Sequence, residues 1–166
     1  MNSINYINNL SKDEFCNIFG NVFENTAWIS EKTYNLKPFL DFDTIEKSFL
    51  SIYDQCDNGQ FLEIFNSHPE LAVEKTLTKN SLKEQRSIGL YECTEQELNE
   101  FSNLNKEYKN KFNFPFIIAV SGKNKKEILD IFKARVKNDL NTEFQEAKKQ
   151  VKKIALIRIK ELFNKI

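Results

Sequence analysis

Apolar residues recur along most of the chain at intervals of three and four, the period of helices with one buried face. Phe15, Ile18, Phe19 and Val22 follow Ser11-Lys12-Asp13-Glu14, whose serine and glutamate have the spacing of a capping box. Asp43 with Glu46 opens a second segment, in which Ile45, Phe49, Ile52 and Cys56 share a face. Its stop is expected near Asn58-Gly59. Thr94 with Glu97 opens a third, carrying Leu98, Phe101, Asn105, Tyr108 and Phe112 along one stripe. The next begins near Asn124, just past Gly122, with Ile128, Ile131, Phe132 and Arg135 at helical spacing. The longest pattern covers about 141–165, and its apolar line is Phe144, Ala147, Val151, Ile154, Ala155 and Leu162.

Only the stretch 114–120, FPFIIAV, reads as extended, and Pro115 argues against a central strand there. One short apolar stretch cannot make a sheet. The pattern therefore predicts an all-α, single-domain helical bundle over 1–166, with one short extended connector at about 114–120. No repeat, low-complexity tract or linker divides the chain.

Composition narrows the function classes. The chain has 166 residues, 40% of them hydrophobic, enough to bury a core without disulfides or metal. The 24 basic and 24 acidic residues cancel. A balanced chain gives no electrostatic case for nucleic acid or an anionic membrane as partner. No apolar run approaches the roughly 20 residues of a membrane span. The first residues, MNSINYINNL, lack the basic and apolar regions of a secretory leader, and the last, FNKI, are not a peroxisomal address. Cys16, Cys56 and Cys93 are scattered, as neither a disulfide framework nor a zinc pattern would have them. A reducing, cytoplasmic setting is expected. With His68 the single histidine, no metal-ligand cluster is visible, and none is expected.

Three places break the pattern. His68-Pro69 follows Phe61, Leu62, Ile64 and Phe65, and the proline biases His68 away from helical torsions. The imidazole then sits at a segment end, as a capping or core histidine or as a proton carrier. Ser81-Leu82-Lys83-Glu84-Gln85 has capping-box spacing at Ser81 and Glu84. The same helix start would offer free N–H groups to an anion, with Glu84 and Gln85 adding an acceptor and an amide. Arg158 falls in the apolar line of the last segment, four residues from both Ile154 and Leu162. A guanidinium there needs a partner, either a buried carboxylate such as Glu84 or a ligand carboxylate. The 114–120 stretch is a fourth element, a buried connector whose backbone groups need partners, some of which a polar heterocycle could supply.

In this order and spacing, FGNVFENTAW (19–28), HPEL (68–71), SLKEQRSIGL (81–90), LNKEYKNKFNFPFIIAV (104–120) and IALIRIKEL (154–162) resemble the OHCU decarboxylase family. OHCU is 2-oxo-4-hydroxy-4-carboxy-5-ureidoimidazoline, and the family makes (S)-allantoin from it in the last step of urate degradation. The resemblance implies an all-helical homodimer that uses no metal or organic cofactor. It implies a catalytic histidine at His68, and substrate contacts at Pro69, at Ser81, Leu82, Lys83, Glu84 and Gln85, and at Arg158. It also implies that the backbone of Phe116, Ile117, Ile118, Ala119 and Val120 lines the same pocket. Two positions depart from the family's pattern. Asn113 stands where glycine is frequent, and asparagine also tolerates left-handed torsions. Ala27 precedes Trp28 where proline is usual. The competing readings are a catalytically inactive interaction module of the same fold and, from another class, a DNA-binding helical protein. Zero net charge opposes the second.

Overall fold

A computed structural model of the chain describes residues 3–73 and 78–166. Met1 and Asn2, the start of the segment read for a leader, lie outside the described residues. Those residues form nine helices and no strand: α1 Ser3–Asn9, α2 Lys12–Phe19, α3 Ala27–Tyr34, α4 Phe42–Asp54, α5 Asn58–Asn66, α6 Lys79–Ser87, α7 Glu95–Phe112, α8 Lys125–Arg135 and α9 Leu140–Phe163. The all-α expectation holds.

Local capping chemistry sets most of these boundaries. The boxes Ser11/Glu14, Thr94/Glu97 and Asn124/Glu127 open α2, α7 and α8, as their spacing predicts. The Asp43/Glu46 start does not hold. Asp41 is the N-cap of α4, because its carboxylate accepts from the Thr44 amide at 2.7 Å and the Thr44 hydroxyl at 2.6 Å. The expected stop at Asn58-Gly59 is also displaced. The α4 helix ends at Asp54, and Asn58-Gly59 begin α5 behind a box formed by Asp57 and Gln60. On its buried side Tyr53 joins Ile45 and Phe49, each four residues from the last, while Ile52 is half-buried.

The chain divides into two compact units, the residues up to Ser67 with Lys152–Ile166, and His68–Val151. The first is built on an aromatic core. Phe15 stacks on Phe49 at 6.2 Å, Phe23 stacks on Tyr53 at 5.0 Å, and Tyr53 meets Phe61 edge-on at 5.1 Å. Late in the chain, Phe163 of α9 packs on Phe42 at 4.2 Å. Such ring pairs add about 0.5–1.5 kcal/mol each beyond the area they bury.

The second unit gathers around Tyr108 and Phe112 of α7, Phe132 of α8 and the segment that follows α7. Phe116 stacks face-on with Phe132 at 3.8 Å, and Tyr108 meets Phe116 edge-on at 5.3 Å. The α7 helix stops at Asn113, whose φ of 63° is left-handed and whose N–H donates to the Lys109 carbonyl. This reversal sends 114–120 through the core without helix or strand, and every side chain from Phe114 to Val120 is buried. A short buried connector without helix or strand thus lies where it was expected.

Candidate functional site

His68 opens the second unit, two residues past the end of α5. Pro69 follows it, and the side chain is 7% exposed. The turn beyond is held by side chains from two helices. The Gln85 side-chain oxygen accepts from the Ala72 amide at 3.1 Å, and its Nε2 donates to the Glu70 carbonyl at 3.4 Å. From α7, Asn105 Nδ2 donates to the Leu71 carbonyl at 2.9 Å. Ala72 has a φ of 58°, a torsion an alanine rarely adopts, and it sits between these anchors. The HPEL and SLKEQ motifs therefore meet directly. Asn105 appears in the sequence only as a polar member of an apolar stripe, which was the available signal.

On α6 the capping-box reading of Ser81 fails. Thr78 is the N-cap, and its hydroxyl accepts from the Ser81 amide at 3.2 Å. The Leu82 amide is already bonded to the Thr78 carbonyl at 2.9 Å. The helix thus begins earlier than the Ser81/Glu84 spacing suggests, and Ser81 is an interior residue. No free helix-start amides remain at Ser81 and Leu82 for an anion. What α6 offers is side chains: Ser81 and Gln85 are buried one turn apart, Leu82 and Glu84 are half-buried, and Lys83 is exposed.

The 116–120 segment is held from one side. Arg135 Nη1 donates to the Ile117 carbonyl at 2.8 Å. The Ala119 amide donates to the Gln150 side-chain oxygen at 2.9 Å, and Lys123 Nζ donates to the Ala119 carbonyl at 3.0 Å. The residues that alternate with these two are different. Among the described residues, neither the N–H nor the C=O of Ile118 has a hydrogen-bond partner, and the Val120 N–H has none.

Behind Arg135 lies a buried polar network. Its Nε and Nη2 donate to Oε1 of the fully buried Glu143 at 2.9 and 2.5 Å. Glu143 also accepts from the Tyr108 hydroxyl and, at 2.8 Å, from Asn138 Nδ2. Burial, and next the Glu143 carboxylate, push the Tyr108 phenol above its ordinary range, so it stays protonated and keeps donating. The guanidinium lies over the Phe116 ring at 4.5 Å. The sequence carried a sign of this group, an arginine on the apolar face of α8.

In the first unit, Arg158 is 4% exposed on α9. It forms an ion pair with Glu24, at 2.6 Å and fully buried. Arg158 Nη1 also donates to the Asn21 carbonyl at 3.1 Å. Glu24 and the following Asn25 both have left-handed torsions, φ 42° and 49°. Two such residues in succession are costly, and a buried charge pair of this kind fixes the turn that contains them. Glu24 lies in the FENTAW motif, yet no local pattern ties it to a residue so far along the chain. Among the described residues no group of His, Cys, Asp and Glu could hold a metal ion, and no helix is long and apolar enough to cross a membrane.

Comparison with known proteins places these motifs. A model of the OHCU decarboxylase family matches residues 8–160. The chain is 36% identical over 163 residues to a uric acid degradation bifunctional protein of Bacillus sp. (strain TB-90), covering 98% of this chain and 32% of that protein. It thus spans about a third of the length of that relative. It is 30% identical over 156 residues to the 2-oxo-4-hydroxy-4-carboxy-5-ureidoimidazoline decarboxylase of Halalkalicoccus jeotgali, covering 94% of this chain and 89% of that one. A crystal structure of (S)-allantoin synthase superposes with a TM-score of 0.77 at 24% identity, covering 96% of this chain and 53% of that chain. That likeness concerns the fold alone.

Proposed function

Because the chain belongs to the OHCU decarboxylase family, we propose that it decarboxylates OHCU to (S)-allantoin with stereospecific protonation. The observation that carries this reading is the junction of two family motifs, with Gln85 bonded to both Glu70 and Ala72 in the turn that His68 opens. We assign proton handling to His68, with Glu84 orienting the ring or stabilising its charged form. Pro69, Ser81, Leu82, Lys83, Gln85 and the backbone of Phe116, Ile117, Ile118, Ala119 and Val120 are assigned to substrate binding. Arg158 is assigned to a polar part of the substrate that persists through the reaction. A tight grip on the departing carboxylate would stabilise the ground state and slow its loss.

The chemistry needs no electron sink beyond the substrate. The carboxylate leaves as CO2, and its bonding electrons flow into the adjacent C=N bond, whose nitrogen takes a proton. The resulting enol loses its hydroxyl proton and gains one at the neighbouring carbon. The net uptake is one proton for each carboxylate lost. The protein's tasks are to hold the amide edges in one orientation, to move these protons and to present one face. The same reading has the chain working as a single domain, in a cytoplasmic homodimer, without metal, organic cofactor, nucleic acid or membrane.

The test is chiral. Circular dichroism of freshly generated OHCU should show rapid build-up of one allantoin enantiomer with the protein present. His68→Ala should lose most of this rate while keeping its far-ultraviolet spectrum. Near wild-type turnover by His68→Ala would remove the histidine from the chemistry.

A further inference from the structure

The 116–120 backbone is held at alternate residues. In an extended chain the N–H and C=O of one residue point to one side, and those of the next residue to the other. The Ile117 carbonyl and both backbone groups of Ala119 are pinned by Arg135, Gln150 and Lys123, while Ile118 and the Val120 N–H have no partner among the described residues. Buried backbone donors and acceptors are rarely left so. One N–H and one C=O on a single residue complement the donor–acceptor edge of an amide, which a ureido group and an imidazolinone both have.

Such a reader works only if the segment is held still, since an irregular backbone has no ladder of its own. Gln150 is built for that task. It lies in α9 and is 7% exposed. Its Nε2 donates to Glu146 Oε1 at 2.7 Å, one turn earlier, which turns its Oε1 toward the Ala119 N–H. Glu146 thus fixes which end of the amide faces the segment.

We propose that Gln150 is a positioning residue for substrate binding: oriented by Glu146, it clamps the Ala119 peptide so that the Ile118 and Val120 backbone groups meet the amide edge of the substrate in one register. This rests on the reading that 116–120 lines the OHCU site. Gln150 touches no reacting atom, so its loss should appear in binding before it appears in chemistry.

The experiment compares KM, kcat and enantiomeric excess for wild type, Gln150→Met and the double variant Glu146→Gln/Gln150→Glu, well below each Tm. The methionine is close in volume but cannot accept from Ala119. KM for OHCU is expected to rise about tenfold with kcat within about twofold, the signature of lost ground-state and transition-state binding alike. The double variant exchanges donor and acceptor and so keeps both bonds; it should return KM to within about threefold of wild type. A purely structural role would lower Tm and leave KM unchanged, which overturns the proposal, as does a double variant no better than Gln150→Met. If Gln150→Met does not fold, Gln150→Asn replaces it with the same expectation, since its amide is too short to span Glu146 and Ala119. A wild-type protein that produces no excess of (S)-allantoin overturns the decarboxylase reading itself. An active wild type with an unaltered KM in the variant overturns only the role of Gln150.

Discussion

The carboxylate of Glu24 lies 2.6 Å from the guanidinium of Arg158, and both residues are almost wholly withdrawn from solvent. The pair closes a turn in which two non-glycine residues hold left-handed torsions. Removing either charge takes from the other an oppositely charged partner at 2.6 Å. Glu24→Gln and Arg158→Met should therefore each cost about 3–5 kcal/mol, read from urea midpoints at constant m-value. The double variant removes the pair as a unit and should cost clearly less than the sum. Additive losses would show that the two charges are not coupled. It follows that any effect of Arg158→Ala on substrate binding must be separated from its loss of fold, by measuring both at a temperature where the variant is fully native.

Legibility from sequence followed the range of the interactions. The boxes Ser11/Glu14, Thr94/Glu97 and Asn124/Glu127 are complete within four residues, and each marks a real helix start. The same rule misplaced α4 and α6, because Asp41 and Thr78 are equally competent caps a few residues upstream and the backbone uses those. His68 at a segment end and Arg158 in a buried stripe were readable from neighbouring residues alone. Their partners were not. The bonds from Arg158 to Glu24, from Gln150 to Ala119 and from Arg135 to Glu143 and Ile117 are decided by how distant segments pack. An amphipathic pattern says that an arginine is buried; it does not say which carboxylate meets it.

Asn113 offers a cleaner test of a local reading. It ends α7 with φ 63° and ψ 20°, and its amide bonds back to the Lys109 carbonyl at 2.9 Å. Glycine reaches this torsion without strain and asparagine nearly so. Asn113→Gly should leave stability within about 0.5 kcal/mol of wild type. Asn113→Val brings a β-branched side chain to the left-handed region and should cost about 1–2 kcal/mol. Thermal and urea unfolding of the two variants would decide it. Equal stabilities would show that the reversal into 114–120 is set by the buried rings beyond it and not by this torsion.

The capping carboxylates set how stability responds to acid. Bonds from the Ser11 amide and then its hydroxyl hold Glu14 below its ordinary value of 4.5. Thr44 and Thr142, through hydroxyl and then amide, hold Asp41 and Asp139 below 3.8. The Lys125 ammonium, and next the Thr94 amide, lower Glu97 below 4.5. In each case the folded pKa lies beneath the unfolded one, so between the two values the unfolded chain binds more protons. The stabilisation is complete above the unfolded values and is lost as pH falls through the folded ones. Urea midpoints should therefore be flat in this respect above about pH 5 and fall progressively below about pH 4.5. Glu14→Gln isolates one contributor. Its amide oxygen can still accept from the Ser11 amide, but it does not titrate. This variant should show a shallower acid limb than wild type, and an identical limb would mean that Glu14 carries none of the pH dependence. High salt sorts the rest, because it weakens the half-buried Glu97–Lys125 attraction and leaves bonds from neutral donors largely intact.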